Sequence, residues 1–433
     1  MSLADMFITF ISNLAIDNSE TISLRYGELK ATLNKAFRDT ESKTANTLQV
    51  GSFGRKTGIK GISDLDMLFI IPKTQWENYK DCKQLKLLQD VKAAILNRYP
   101  KTDVRVDRLV VSVTYTNFYV EIQPVFELED GSFYYPDTKN GGRWKVTKPR
   151  LEMNAVAELD ASKNLNLRRL CKMARAWKNK HGVGMGGLLI DTLAYNYMNS
   201  TTEYDTKSYQ SYGQLNCDFF KYLSELPIQD RYHAPGSKQH VKVKNAFQNK
   251  ANKAYGLCVK AIEANGTSDV NKKWKKIFGR QFPASIELTK DSTFEKIAQT
   301  WDNTEEFIED RYALDIRYNL KIDCDVKQNG FREYRLVEMI ANKIPLFAKK
   351  TLEFEIVKID VPGDYSIEWK VLNRGEEARK RNKIRGQIIS DTGKQKIIEP
   401  TSFKGDHVVE CYAIKNRVVV AKDRIHVPIS NNG

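Results

Sequence analysis

The run Gly51-Ser52-Phe53-Gly54-Arg55, followed after a short spacer by Ser63-Asp64-Leu65-Asp66, holds the residues of this chain best suited to chemistry. Successive side chains of a strand point to opposite faces, so Asp64 and Asp66 share one face while Leu65 and Met67 enter a core. Two neighbouring carboxylates repel each other unless a cation sits between them. A hard ion held by one or two carboxylates plus substrate phosphates, Mg²⁺ or Mn²⁺, is the natural occupant. Nucleotidyl transfer by two such ions calls for a third acid on a neighbouring strand. Tyr119-Val120-Glu121-Ile122-Gln123-Pro124 supplies one, because Glu121 is a charge in mid-strand between two apolar residues facing the other way. The expected catalytic and metal-holding set is therefore Asp64, Asp66 and Glu121, with one ion activating an attacking 3′- or 2′-hydroxyl and the other neutralising pyrophosphate.

Glycine lets backbone approach an anion closely, so Gly51, Ser52 and the N–H groups of their turn are expected to hold the β- and γ-phosphates of a triphosphate. A P-loop is excluded by spacing: a frame ending in Lys56-Thr57 needs glycine where Arg55 stands. Lys172 is the candidate second clamp on the triphosphate, with Arg168 and Arg175 one helical turn away as further candidates, although a solvated helix face explains Lys172 equally well. His233 and His240 read as loop residues rather than metal ligands. Tyr209 and Tyr212 suit either a stacked base or ordinary packing. The basic segments 238–253 and 272–276 read first as solvated helix faces.

These residues need elements to carry them. Residues 1–45 have a helical spacing of apolar positions, and strands are predicted at 48–50, 65–71, 104–113 and 115–126 with a helix over 81–99, making a small mixed α/β layer. From 151 the pattern turns helical. It is clearest in Leu167, Leu170, Cys171, Ala174 and Trp177, with further helices predicted at 186–199, 215–226, 239–264 and 290–312. After 312, short strands alternate with turn signals at Pro362-Gly363-Asp364, Asn373-Arg374-Gly375, Asp391-Thr392-Gly393 and Lys404-Gly405-Asp406, a spacing that favours a β-sandwich. The domains read as 1–150 with the sheet, 151–285 as a helical lobe closing a cleft, 286–311 as a helical linker and 312–433 as a β-rich unit.

The 433 residues suffice for two or three domains, and the 41% hydrophobic content is that of a globular chain. A formal net charge of +15 favours a polyanionic partner. The six cysteines form no C-x-x-C pair, which argues against a structural zinc or a disulfide framework and for reduced thiols. Without a membrane-length apolar run or a basic leader, a cytoplasmic protein with no membrane contact is expected.

The set Gln49-Val50-Gly51-Ser52, Ser63-Asp64-Leu65-Asp66 and Glu121-Ile122-Gln123-Pro124 resembles the nucleotidyltransferase superfamily, and within it the branch of oligoadenylate synthetases and bacterial cGAS/DncV-like enzymes (CD-NTases). That resemblance, over residues 15–285, implies a Pol-β-like palm with a helical lobe, α/β (α+β) in class. It also implies a cyclic or linear oligonucleotide second messenger made from ATP, GTP or other triphosphates and read by a downstream effector in anti-phage (CBASS-type) signalling. Glu121 departs from the aspartate common there, and Gly186-Gly187 stand where a phosphate-contacting serine is frequent. Residues 312–433, through Tyr365-Ser366-Ile367-Glu368-Trp369 and Gly405-Asp406-His407-Val408-Val409-Glu410, resemble the adenylyl/guanylyl cyclase and SMODS C-terminal sensor domain. This implies a regulatory nucleotide or related ligand, lined by Trp369, Arg385, His407 and Glu410. Two alternatives remain at this point: a template-independent RNA-end nucleotidyltransferase, and a nucleotide sensor without chemistry.

Overall fold

A computed structural model describes residues 2–16, 19–61, 64–116, 118–284, 306, 308–327, 334–374, 376–381 and 383–430. The chain divides into two compact units, Met1–Lys290 and Asp291–Gly433.

The first unit opens with helices α1 (Leu3–Asn13) and α2 (Ser19–Arg38). Ser2 caps α1 by a reciprocal bond with Asp5, which satisfies donors that a helix start leaves open. There follow β1 (Thr47–Gln49), the single-turn helix α3 (Gly51–Gly54), β2 (Asp64–Ile70), α4 (Trp76–Tyr79), α5 (Gln84–Arg98), β3 (Asp103–Asp107), β4 (Val110–Thr114), β5 (Tyr119–Glu127), β6 (Phe133–Asp137) and β7 (Arg143–Thr147). Among the described residues these strands form one sheet in the order β1-β2-β5-β4-β3, with the hairpin β6-β7 attached to the far end of β5. The pair β2-β5 is parallel and its neighbours are antiparallel.

One face of this sheet is dry. Leu65, Met67 and Phe69 of β2 and Val120 and Ile122 of β5 pack with Tyr26, Leu29 and Leu33 of α2 and Leu87, Val91 and Ile95 of α5. Strand alternation sends Asp64, Asp66, Glu121 and Gln123 to the opposite face. The sequence predicts one strand over 104–113, and the structure breaks it into the hairpin β3-β4, because Arg108 and Leu109 make a turn inside the β-rich run. The β6-β7 hairpin has no counterpart in the sequence reading.

The helices that complete the unit are α6 (Pro149–Ser162), α7 (Asn166–His181), α8 (Gly187–Ser200), α9 (Tyr212–Glu225), α10 (Gln248–Glu263) and α11 (Val270–Phe278), with a short ribbon of β8 (Arg231–His233) and β9 (His240–Lys242) between α9 and α10. The apolar stripe of α7 is buried as its spacing predicts, and Gly182, at φ 56°, ends the helix in the left-handed conformation. Although α1 precedes the sheet in sequence, its Phe7 and Phe10 sit in the helical core: Phe7 meets Tyr212, Trp274 and Phe282 edge to face. The helix predicted over 239–264 starts only at Gln248, since His240–Lys242 pairs with β8.

The second unit contains α12 (Ile308–Arg311), β10 (Ala313–Leu314), β11 (Leu320–Lys327), β12 (Tyr334–Arg335), α13 (Leu336–Ala341), β13 (Leu346–Phe347), β14 (Thr351–Ile359), β15 (Ser366–Leu372), α14 (Glu376–Lys380), β16 (Arg385–Ser390), β17 (Lys396–Pro400), β18 (Gly405–Lys415) and β19 (Val418–Ser430). Among the described residues they build two sheets, β10-β19-β18-β15-β16 with β13 beside β19, and β12-β11-β14-β17. The sheets are joined by Asp423 of β19, which accepts from the Ile322 backbone N–H of β11 at 2.9 Å, and both line one cavity, the sandwich that the strand spacing predicts. Most of the predicted linker helix 290–312 lies outside the described residues, as does Ser63. No helix among the described residues is long and apolar enough to cross a membrane, and all six cysteines are free thiols.

Candidate active site

The parallel register of β2 and β5 sets Asp66 directly beside Glu121, with Asp64 beside Tyr119. Three carboxylates thus share the open face of two adjacent strands. Their mutual field is visible in their acidity: partial burial first, then the charges of Asp64 and Glu121, push Asp66 up to about 6, against the pull of Arg55. Burial, then Asp64 and Asp107, also raise Glu121. The backbone of Asp66 is held twice, its carbonyl accepting from the Val50 N–H and from the Tyr26 hydroxyl, both at 3.1 Å.

Gly51 begins α3 against this face. Its φ is 65°, and a Cβ at this position would lie 1.7 Å from Asp66 Oδ2, so both conformation and space require glycine. Gly54 lies so close to β1 that a Cβ would stand 2.3 Å from the Gln49 carbonyl oxygen, which seats the turn on the sheet. The opening N–H groups of any helix lack an intrahelical acceptor, and no side chain caps α3. The chain then doubles back as Thr57 and Gly58 donate to the Ser52 carbonyl at 2.9 and 3.1 Å.

A cavity of about 510 Å³ opens over this arrangement. Asp64, Asp66 and Gln123 line it from the sheet and Gly51 and Ser52 from α3, and its other lining residues include Arg55, Lys60, Glu152, Arg175 and Lys178. Three of the predicted acids and cations, Glu121, Lys172 and Arg168, are not in its wall. Glu121 stands beside Asp66 but leaves the lining on β5 to Gln123, two residues on and on the same strand face. Lys172 lies six residues before Lys178, about 9 Å along the helix axis, and the C-terminal half of α7 is the part that reaches the cavity. Lys178, and not Lys172, is the lysine of α7 that lines the cavity.

Arg168 is likewise spent elsewhere: its Nε donates to the Arg55 carbonyl at 3.1 Å and its guanidinium faces Asp160. Arg175 reaches the cavity from a buried network that sequence reasoning missed. Asp191 of α8, fully buried, accepts from Arg55 Nε at 2.9 Å, Thr57 Oγ1 at 2.8 Å and Arg175 Nη2 at 2.7 Å, and Glu152 of α6 stands 3.8 Å from Arg55. Burial alone would raise Asp191, but Arg175 and Arg55 outweigh it and hold the carboxyl below its usual range. The clue in the sequence was a lone acid in the apolar run Gly187-Leu188-Leu189-Ile190-Asp191-Thr192-Leu193.

Tyr212 is core, its hydroxyl donating to Asn166 Oδ1 at 2.7 Å, and Tyr209 packs against it beneath Arg169, so neither lines the cavity. His233 and His240 are not loop residues: they face each other across the β8-β9 ribbon.

The donors on the open sheet face are hard carboxylate oxygens, and the pKa values of Asp66 and Glu121 are raised first by burial and then by neighbouring acids, a clustering of negative charge that a divalent cation relieves; the residue types fit Mg²⁺ or Mn²⁺. They are not gathered into a finished cage: among the described residues no cluster of three or more His, Cys, Asp and Glu side chains is arranged to hold an ion.

A second cavity, of about 320 Å³, lies between the two sheets of the C-terminal unit. Arg385 and His407 line it as predicted, whereas Trp369 and Glu410 do not. The Trp369 indole donates to Asp391 Oδ1 at 2.9 Å, and Glu410 is engaged by Lys370, Arg424 and the Tyr412 hydroxyl.

Residues 1–160 match the family described as the Second Messenger Oligonucleotide or Dinucleotide Synthetase domain, and residues 302–430 the Adenylyl/Guanylyl and SMODS C-terminal sensor domain. Residues 1–160 carry a second-messenger oligonucleotide or dinucleotide synthetase domain. The chain is an enzyme of the second-messenger oligonucleotide synthetases, with a sensor module following the catalytic one. A probable cyclic nucleotide synthase of Bacillus cereus is 19% identical over 273 residues, 54% of this chain and 81% of that protein. Among solved structures, the Escherichia coli CdnC:HORMA-deltaN complex shares the nucleotidyltransferase fold at 15% identity and a TM-score of 0.52, over 65% of this chain and 98% of that one. The apo form of Vibrio cholerae DncV is 15% identical over 55% of this chain and 69% of its own, with a TM-score of 0.45.

Proposed function

We propose that the synthetase joins nucleoside triphosphates, ATP or GTP among them, into a cyclic or linear oligonucleotide at the cavity above β2 and β5. The observation that carries this reading is the pairing of Asp66 with Glu121 across two strands, with Asp64 on the same face and Gly51 pressed against Asp66. Asp64, Asp66 and Glu121 would hold two Mg²⁺ or Mn²⁺ ions, which supply activation of the attacking hydroxyl and neutralisation of the leaving pyrophosphate.

The rest belongs to the protein's own groups. Ser52 and the first N–H groups of α3 bind the β- and γ-phosphates. Lys178 and Arg175 supply positive charge from the helical side, and Asp191 holds Arg175 and Thr57 in place so that the turn and the helix meet at a fixed distance. The domain assignment we propose is a palm over 1–150, a helical lobe over 151–285, a linker over 286–311 and a sensor over 312–433. A cytoplasmic location, an effector that reads the product and a role in anti-phage signalling accord with the family of the synthetase domain. A HORMA partner, as in the CdnC:HORMA-deltaN complex, belongs to the same reading.

Incubation of the purified chain with all four triphosphates and Mg²⁺ or Mn²⁺, followed by mass spectrometry, tests the reading. A pyrophosphate-releasing oligonucleotide product is expected, with and without added sensor ligands. Its loss in Asp64→Asn with Asp66→Asn assigns the carboxylates, and undiminished turnover in that double variant refutes the assignment. Extension of added RNA in place of a free product would identify an RNA-end transferase.

A further inference from the structure

The cavity of the C-terminal unit has a chemistry that restricts its ligand. Its deep wall is apolar, formed by Leu352 and Phe354 of β14, Val371 of β15, Val409 of β18 and Val427 and Ile429 of β19. Its polar side is built from Arg385, Glu399, Lys383 and Asn373. Arg385 and Glu399 form a two-pronged ion pair, one prong running from Nη2 to Oε1 at 2.9 Å and the other from Nη1 to Oε2. Such a fork presents donor and acceptor atoms side by side in one plane. The ladder between β15 and β16 shifts register between Arg385 and Ile388, and Arg385 takes a left-handed φ of 57°. Bulges and left-handed non-glycine residues of this kind collect where a side chain is re-aimed for a purpose.

Charge and size then narrow the class. Two cations, Lys383 and Arg385, and one anion, Glu399, leave one net positive charge among these lining groups. His407 adds none: its Nδ1 accepts from the Arg374 N–H and its Nε2 faces the Phe403 carbonyl, both at 3.2 Å, which describes a neutral ring with its proton on Nε2. A triphosphate or a dinucleotide brings several negative charges that this wall would leave buried and unpaired. A volume of 320 Å³ is also at the small end of ligand cavities, room for one compact molecule.

We propose that this cavity binds a free nucleobase or nucleoside, an uncharged planar heterocycle whose flat body lies against the apolar wall and whose hydrogen-bonding edge meets the Arg385–Glu399 fork. The module would then read neither the synthetase's triphosphate substrates nor its oligonucleotide product. The proposal rests on the reading of residues 302–430 as a sensor, and is independent of the assignment of the catalytic carboxylates.

Equilibrium dialysis of labelled adenosine, guanosine and the free bases against the full-length chain, in EDTA so that metal-dependent triphosphate binding is suppressed, measures it. One saturable site is expected, unchanged in Asp64→Asn with Asp66→Asn. At least tenfold weaker binding is expected in Glu399→Gln and, as an independent filling of the apolar wall, in Val427→Met, each checked for folding by circular dichroism. Absence of saturable binding by any base or nucleoside overturns the proposal. So does binding that survives both cavity variants, or displacement from the same site by ATP or a cyclic dinucleotide at equal concentration. None of these results depends on product formation, so failure of the synthetase assay and failure of this proposal are read separately.

Discussion

At the scale of single residues, Gly51 packs so closely against Asp66 that no room is left for a Cβ. Replacing Gly51 by alanine puts a methyl group onto Asp66 Oδ2 and strains a left-handed backbone. The expected outcome is a loss of turnover of about 100-fold or more with little change in the far-ultraviolet spectrum, since a misplacement of about 1 Å at a reacting centre has that scale; a steady-state pyrophosphate assay measures it. The carboxyl of Asp66 titrates near 6 in the metal-free protein. A cation must displace that proton, so Mn²⁺ affinity should be constant well above pH 6 and fall by about tenfold per unit below it. Titration followed by electron paramagnetic resonance at pH 5 and 7.5 checks the direction. Asp64, Asp66 and the glycine-serine turn were legible because strand alternation and glycine stereochemistry are local rules. Lys178 was not, because a helix lists its cations in sequence without saying which turn reaches the cleft.

At the scale of elements, the turn after Gly51 and helices α7 and α8 are fastened by one buried acid, Asp191. Asp191 pairs with both Arg55 and Arg175, and its removal leaves both guanidinium groups inside the protein without their shared partner, Arg55 keeping Glu152 at 3.8 Å. Asp191→Ala is expected to destabilise the first unit by about 3 to 5 kcal/mol, the usual cost of breaking a buried pair from one side, seen as a lower urea midpoint. Thr57→Val removes the bond to the same carboxylate and the one its hydroxyl accepts from Arg175, and a smaller cost of about 1 to 3 kcal/mol is expected. The elements themselves were mostly legible, the helix of Leu167 to Trp177 above all, since a 3.6-residue apolar period has one structural meaning. The strand predicted over 104–113 failed for the converse reason: β-branched residues continue on both sides of the Arg108-Leu109 turn, and no glycine or proline marks it. Period also could not show that α1 packs with helices more than 150 residues later.

At the scale of the whole molecule, each unit has a core of its own, and each should respond to a different condition. In the C-terminal unit, burial works against ionised Glu410, yet Lys370 and Arg424 outweigh it and hold the carboxyl down at about 2. A folded value below the unfolded one means that the stabilisation is complete above pH 4.5 and is lost as pH falls toward 2. Glu410→Gln should therefore lower thermal stability at pH 7 by up to about 3 kcal/mol and flatten the acid side of the profile, measured by calorimetry between pH 2 and 7. A variant whose acid dependence matches the parent would show that other carboxylates govern that limb.

The sequence by itself determined the placement of the candidate groups: two acids on one strand face, a third on a neighbouring strand, a glycine-serine turn before them, and a β-rich module after a run of helices. These follow from local stereochemistry and periodicity, which act over a few residues. Only the tertiary structure decided that Asp66 meets Glu121 in register, that Lys178 and Arg175 rather than Lys172 face the cavity, that Asp191 ties turn to helix, and that Arg385 but not Trp369 or Glu410 lines the space between the C-terminal sheets. Each of these depends on where distant segments come to rest, and that is set by the packing of whole faces, which no short stretch of the chain contains.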